Sequence, residues 1–244
     1  MDQNALKALV GKTAADRLED GMVLGIGSGS TAEAFVDALS ARVKAGLRVR
    51  GVPTSQRTAA LCRERGVELT DLETNPVLDL VIDGADELDD DLRLIKGGGG
   101  ALLREKIVAN AGRAMLVIAD KSKHVQTLGA YPLPVEINPF GASSTIASIE
   151  AICERHGLTA NACIRRNLAT SRGDRAPFVT DGGHWILDCG LEAITNPDSL
   201  HMDLCLVPGV VETGLFIGMA QEALLADDTG VISLKSSQVR HESR

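Results

Sequence analysis

Apolar positions along this chain recur with two alternating periods. Leu6, Leu9, Val10, Ala14 and Leu18 fall at helical spacing over residues 5–18, and Gly21 follows as a stop. MVLGIG at 22–27 is a short apolar run ending in glycines, which predicts a buried strand leading into a turn. Helical spacing returns over 31–44, and LRVRGV at 47–52 alternates as a strand does. Ser55 is placed to cap a helix that runs through Arg65 and ends at Gly66. VLDLVID at 77–83 and RAMLVIAD at 113–120 predict two more strands, with a helix from Ala101 to Asn110 between them. Strands apolar on both faces that alternate with helices predict an α/β fold: a Rossmann-like, mostly parallel sheet with helices on both faces.

The pattern changes near residue 130. YPLPVEINPF holds prolines at 132, 134 and 139 and is expected to be a crossover between domains. Beyond it come a helix carrying Ile146, Ile149, Ile152 and Cys153, then a strand near 158–166. PFVT and HWILD are expected to form a hairpin turning at Asp181-Gly182-Gly183. A short helix follows Asn196-Pro197, and VPGVVETGLF returns as a strand. This order is that of a smaller, ferredoxin-like split βαβ domain, expected over 131–209. The larger domain then comprises 1–130 and 210–244, and its last residues, SSQVRHESR, are expected to fray.

Composition narrows the classes of function. With aromatic residues at 2%, the core must be aliphatic, and stacking platforms for single-stranded nucleic acid are not expected. The net charge is −8 and no Lys/Arg run offers a track for a phosphate backbone. Any anionic ligand is therefore held by local donors against an unfavourable overall field. The five cysteines, at 62, 153, 163, 189 and 205, show no Cys-x-x-Cys spacing and are expected to be buried thiols in a reducing compartment. MDQNALKALV lacks the layout of a signal peptide, and no apolar run reaches transmembrane length. The expectation is a soluble, cytoplasmic protein.

Two segments carry candidate chemistry. In the first, Gly25-Ile26-Gly27-Ser28-Gly29-Ser30-Thr31 joins a strand to a helix. Such a turn aims free backbone N–H groups and the positive end of the helix dipole at whatever lies above it. Ser28, Ser30 and Thr31 add hydroxyls, and the glycines admit close approach. Ser30 stands where a dinucleotide fingerprint needs its third glycine, and no Gly-Lys-Ser/Thr ending is present. The loop suits a small phosphate. In the second segment, Asp83-Gly84-Ala85-Asp86-Glu87 is followed by Lys96-Gly97-Gly98-Gly99-Gly100 and then Arg104-Glu105-Lys106. Asp83 ends a buried strand, at the sheet edge where open α/β folds bind ligands. Four glycines in a row are costly to order and suit a backbone that passes close to a ligand. Glu87, Asp89, Asp90 and Asp91 are expected to form a solvated acidic turn, and Arg104 and Lys106 to be surface charges.

Together these residues resemble the type A ribose-5-phosphate isomerases. GIGSGSTA at 25–32, DGADE at 83–87 and KGGGGALLREK at 96–106 are similar to that family's phosphate, acidic and glycine loops. ADKSKHV at 119–125, LPVEI at 133–137, VTDGGHWILD at 179–188 and PGVVETGLF at 208–216 extend the likeness over nearly the whole chain. The resemblance implies interconversion of ribose 5-phosphate and ribulose 5-phosphate within pentose phosphate metabolism, and a homodimer or homotetramer. It implies Glu105 as general base, with Asp83, Asp86 and Lys96 as polar groups around the sugar. Ser28, Gly29, Ser30 and Thr31, with Lys123 and Lys7, are the implied phosphate contacts. Gly84, Ala85, Gly97, Gly98 and Gly99 are implied to line the sugar.

Moving a proton between C1 and C2 needs a positioned carboxylate and donors for the enediolate oxygens; Asp83 or Asp86 suits ring opening. No cofactor is expected, and the histidines at 124, 156, 184, 201 and 241 show no ligand spacing for a metal. Two rivals share parts of the pattern. A non-catalytic sugar-phosphate sensor needs the phosphate loop but not Glu105 and Lys96 together. An acyl-CoA transferase-like enzyme leaves DGADE without a role.

Overall fold

The computed structural model describes residues 1–159, 163–169 and 175–235. The chain runs α1 (Gln3–Ala15), β1 (Val23–Ile26), α2 (Ser30–Lys44), β2 (Arg50–Pro53), α3 (Gln56–Glu64), β3 (Glu68–Leu69), β4 (Leu80–Asp83), β5 (Glu87–Leu88), β6 (Leu94–Ile95), α4 (Leu102–Ala111) and β7 (Met115–Asp120). It continues through β8 (Leu133–Ile137), α5 (Ala142–Arg155), β9 (Cys163–Arg165), β10 (Asn167–Ala169), β11 (Arg175–Pro177), β12 (Trp185–Cys189), α6 (Pro197–Cys205), β13 (Val210–Thr213), β14 (Leu215–Phe216), β15 (Glu222–Asp227) and β16 (Gly230–Lys235). The expected frayed tail lies outside the described residues, as do residues 160–162 of the strand expected near 158–166.

The larger sheet has the order β16-β15-β7-β4-β1-β2-β3. Every neighbouring pair is parallel except β15 with β16. Alternate residues of its central strands serve two cores. Leu24, Ile26, Ile82, Leu116 and Ile118 pack with Val10, Phe35 and Leu39 of α1 and α2. Val81, Val117 and Ala119 face Val108 and Ala109 of α4 on the other side. This two-sided burial is why the strands read as continuous apolar runs. The chain leaves β1 towards β2 and β3, then returns to β4 on the other side of β1. The sheet therefore has its switch point between β1 and β4, and a crevice opens beyond their carboxyl ends.

The smaller sheet, β13-β8-β12-β9, is antiparallel throughout. It interleaves β8-α5-β9 with β12-α6-β13, the expected split βαβ arrangement. Leu133, Val135 and Ile137 of β8 join Ile149, Leu187, Leu200 and Leu204 in its core.

Three expectations change, and some short strands went unpredicted. The proline-rich segment expected to be a crossover holds β8, a fully buried strand with neighbours on both sides. Pro134 fits there because its face of the sheet packs on the glycine loop, where its ring meets Gly97 and Gly214. The hairpin reduces to a single bridge, Val179 with Trp185, and a turn closed by Thr180 N–H donating to His184 O at 2.9 Å. Arg175–Pro177 pairs with β10 instead. VPGVVETGLF breaks at Gly214. Its first half, Val210–Thr213, completes the smaller sheet rather than returning to the larger one at 210, and its second half pairs with β6. Finally, β3, β5 and β6 have two residues each, too few for any period to show. Among the described residues no helix is long and apolar enough to cross a membrane.

Phe35 is fully buried between α2 and the sheet. Phe35→Ala is expected to cost about 3–5 kcal/mol of stability, read as a lower urea midpoint at unchanged slope. A midpoint equal to the wild type's would contradict the two-sided core.

Candidate active site

The crevice at the switch point is a cleft of about 180 Å³, lined by Gln3, Lys7, Ser28 to Thr31, Gly84 to Asp86, Lys96 to Gly99, Glu105, Asp120 and Lys123. That is room for a small metabolite, below the roughly 300–1,000 Å³ typical of larger ligands. Every residue expected to touch ligand reaches its wall except Asp83.

One end of the cleft, the end expected to hold phosphate, is built by the turn from β1 into α2. Gly29, at φ 90°, redirects the chain, and no side chain caps the α2 N-terminus. The first turn of the helix thus opens on the cleft, where Ser30 and Thr31 lie beside Lys7 and Lys123. Ser28 acts differently from the expectation. Its hydroxyl turns into a cluster with Thr54 at 2.8 Å, Ser55 at 2.7 Å and Thr58 at 3.0 Å. It fixes the loop to the start of α3 and is not a free donor.

The chemical end is built around Lys96, which is 2% exposed. Its ammonium lies 2.9 Å from Asp83 Oδ2 and 3.4 Å from Glu105 Oε2, and donates to Gly84 O at 2.6 Å. Asp83 is 0% exposed and forms the floor beneath the cleft. Its Oδ1 accepts the N–H groups of Ser28 at 3.2 Å and Gly84 at 2.7 Å. Asp83 and Gly27 share the α4 side of the sheet, and a Cβ at Gly27 would overlap the Asp83 carboxylate. The glycine is therefore a steric necessity. Glu105 lies in the first turn of α4, on its buried face with Leu102 and Val108, at 4% exposure. Its buried Oε2 makes the longer of the two contacts with Lys96.

One ammonium between two carboxylates sets their protonation. Burial pushes Glu105 up, and the neighbouring Asp83 and Asp86 add to this against the pull of Lys96; the carboxyl reaches about 8. Burial pushes Asp83 up as well, while Lys96 and two backbone donors pull it back. Burial would lower Lys96, but Asp83 and Glu105 outweigh it and hold the ammonium above its ordinary value. The shorter ion pair and the two N–H donors make Asp83 the ionised partner of Lys96.

The glycine loop forms the opposite wall. Gly97 and Gly100 have φ of 110° and 76°, values that favour glycine. A Cβ on Gly98 would sit 2.7 Å from Asp86 Oδ1. Asp86 Oδ2 instead accepts the Gly98 N–H at 2.8 Å.

Several residues differ from the sequence reading. Glu87 is buried and accepts the N–H groups of Gly129 at 2.7 Å and Tyr131 at 2.6 Å. Asp89 is also buried and grips Arg93 at 2.7 Å. Only Asp90 and Asp91 remain as solvated acids of that turn. Lys106 is buried too, donating to Glu212 Oε1 at 2.8 Å, Thr213 O at 2.7 Å and Leu215 O at 2.8 Å. It joins α4 to the smaller sheet. His201 and Cys205 share one face of α6 and converge with Glu212, their possible ligand atoms within 4.8 Å. The histidines thus do include one ligand-like grouping, but the Lys106 ammonium already occupies Glu212 there. Gln3 and Asp120 were missed. Asp120 ends β7 at the same sheet edge as Asp83, which was a usable signal; Gln3 carried none.

Comparison with known proteins agrees with this geometry. The family model described as ribose 5-phosphate isomerase A (phosphoriboisomerase A) matches residues 50–230. A ribose-5-phosphate isomerase A of Methylorubrum extorquens is 55% identical over 232 residues, covering 94% of this chain and 96% of its own. The solved ribose 5-phosphate isomerase A of Methanocaldococcus jannaschii is 35% identical with a TM-score of 0.84, covering 95% of this chain and 98% of that one. A D-ribose-5-phosphate isomerase solved in complex with phospho-erythronic acid is 31% identical with a TM-score of 0.87, covering 96% of this chain and 100% of that one. These matches, over a cleft with an open helix N-terminus, a buried lysine between two carboxylates and a glycine wall, place the chain in the ribose 5-phosphate isomerase A family.

Proposed function

We propose that this cleft interconverts D-ribose 5-phosphate and D-ribulose 5-phosphate by proton transfer through an enediolate. The observation that carries the mechanism is Glu105, a buried carboxyl on the cleft wall whose Oε2 lies 3.4 Å from the buried Lys96 ammonium.

The substrate phosphate lies at the α2 N-terminus between Lys7 and Lys123, remote from the chemistry. Its binding energy holds C1 and C2 against Glu105. Asp86, on the cleft wall, assists ring opening at O1 and the ring oxygen. Glu105 takes the proton from one carbon and returns it to its neighbour. Lys96 and the glycine-loop amides face the charge that develops on the enediolate oxygens. Asp83 does not touch the sugar in this account; it fixes Lys96 from below and keeps it charged. A sensor that only binds sugar phosphate would have no use for a desolvated carboxyl beside Lys96.

Residues 1–130 with the C-terminal strands form the lobe that holds the chemistry. Residues 131–209, extended through β13, form a second lobe that backs the glycine loop. The cysteines of the described residues are free thiols, which supports a reducing, cytoplasmic setting. A homodimer or homotetramer is expected, to be read by sedimentation.

Two outcomes test the base. Glu105→Gln removes the proton acceptor at nearly constant shape. It should retain phosphate-competitive ligand binding and lose turnover by roughly 10²–10⁴-fold; near-normal turnover removes Glu105 from this role. The reaction needs the Glu105 carboxylate, whose titration is raised to about 8. Below that pH the protonated form dominates, so kcat/KM should climb with pH through about 8 and level above it. A profile already flat from pH 6 upwards contradicts the raised carboxyl.

A further inference from the structure

Arg166, from the smaller sheet, reaches the glycine wall from behind. It stands between β9 and β10, and its N–H donates to Ile186 O at 2.8 Å. Its guanidinium grips Asp188 with two donors, Nε to Oδ2 at 2.8 Å and Nη2 to Oδ1. The remaining donor, Nη1, serves two carbonyls at once, Gly97 O and Gly98 O, each at 3.0 Å. The Phe178 ring lies 5.8 Å from Cζ.

These contacts determine which way the loop's N–H groups point. A trans peptide is planar, so its N–H is directed opposite its C=O. Arg166 holds the Gly97 carbonyl, and the N–H of that peptide, on Gly98, meets Asp86 on the other side at 2.8 Å. Arg166 likewise holds the Gly98 carbonyl, and the N–H of that peptide belongs to Gly99, which lines the cleft. The Gly99 N–H is thereby turned away from Arg166 and towards the ligand. Consecutive glycines have more backbone freedom than any other run, and a donor stabilises a developing oxyanion only if it is already oriented. A cation on the carbonyl oxygen also polarises the same peptide's N–H.

We propose that Arg166 is a positioning residue for isomerisation: through the Gly97 and Gly98 carbonyls it presents the Gly99 N–H to the enediolate oxygen. The proposal rests on the reading of the cleft given under Proposed function. The sequence hid it, because Arg166 is distant along the chain from every loop it serves.

The test is Arg166→Ala, assayed for kcat, KM, inhibition by inorganic phosphate and inhibition by phospho-erythronic acid. The planar carboxylate of that acid offers oxygens like those of the enediolate. Loss of one oriented oxyanion donor predicts a kcat lower by roughly 10²-fold. Inhibition by phospho-erythronic acid should weaken, inhibition by inorganic phosphate should stay near the wild type's, and added guanidinium should restore part of kcat. Asp188→Asn keeps the arginine but loosens its fork, and should move the same quantities in the same direction by less. Circular dichroism and the urea midpoint identify a variant that fails to fold, in which case Asp188→Asn decides. Wild-type kcat in the folded variant overturns the proposal. So does a loss that includes phosphate binding and is not rescued by guanidinium, since that marks a merely structural role. Glu105→Gln run in parallel separates the two readings. Full turnover there removes the base assignment, whereas wild-type kcat in Arg166→Ala beside an inactive Glu105→Gln removes only the clamp.

Discussion

A single buried ammonium organises this molecule's chemistry. Lys96 is held, almost fully buried, between Asp83 and Glu105, and removing one partner of such a buried group costs about 3–5 kcal/mol. The surrounding backbone is arranged to keep the group whole. Asp83 is reached by two N–H donors because Gly27 leaves room for its carboxylate. Lys96 is tied through its own N–H to Gly214 O at 2.9 Å, and Phe216 covers its ammonium. With Asp83 the closer partner of Lys96, Glu105 is left with a raised carboxyl on the cleft wall, the condition that suits a base working near neutral pH.

The two sheets meet behind this group. Pro134 and Arg166 support the glycine loop, while Lys106 fastens α4 to β13 and β14. Adjacent residues on α4 therefore serve different sides: Glu105 turns into the cleft and Lys106 binds the smaller sheet. The smaller sheet thus shapes the site without contributing a residue to the cleft wall.

Four strands of the larger sheet, β1, β2, β4 and β7, were legible from their apolar runs and alternation and from the plain stops of the helices between them, whereas the two-residue β3 and the β15–β16 hairpin were not. Ser55 does cap α3, through a hydrogen bond from Thr58 N–H, and Gly66 does end it. The cleft was legible because its residues come from loops at strand ends, contiguous in sequence. What stayed hidden depended on contacts distant along the chain. Pro134 looked like a breaker because only the fold shows the glycines it packs against. Glu87 and Lys106 looked solvated because a charge carries no sign of its buried partner. Asp83 was recognised as important but placed on the wall, since spacing along a loop does not say which carboxylate lies beneath the lysine.

Under the proposed mechanism Glu105 carries the proton between C1 and C2 and exchanges it with solvent through the cleft. Isomerisation of ribose 5-phosphate in D2O tests it most directly. Deuterium is expected on C1 of the ribulose 5-phosphate formed, and on C2 of ribose 5-phosphate recovered at equilibrium. Retention of all the original hydrogen on carbon, through repeated conversion to equilibrium, would contradict it and point to direct hydride transfer.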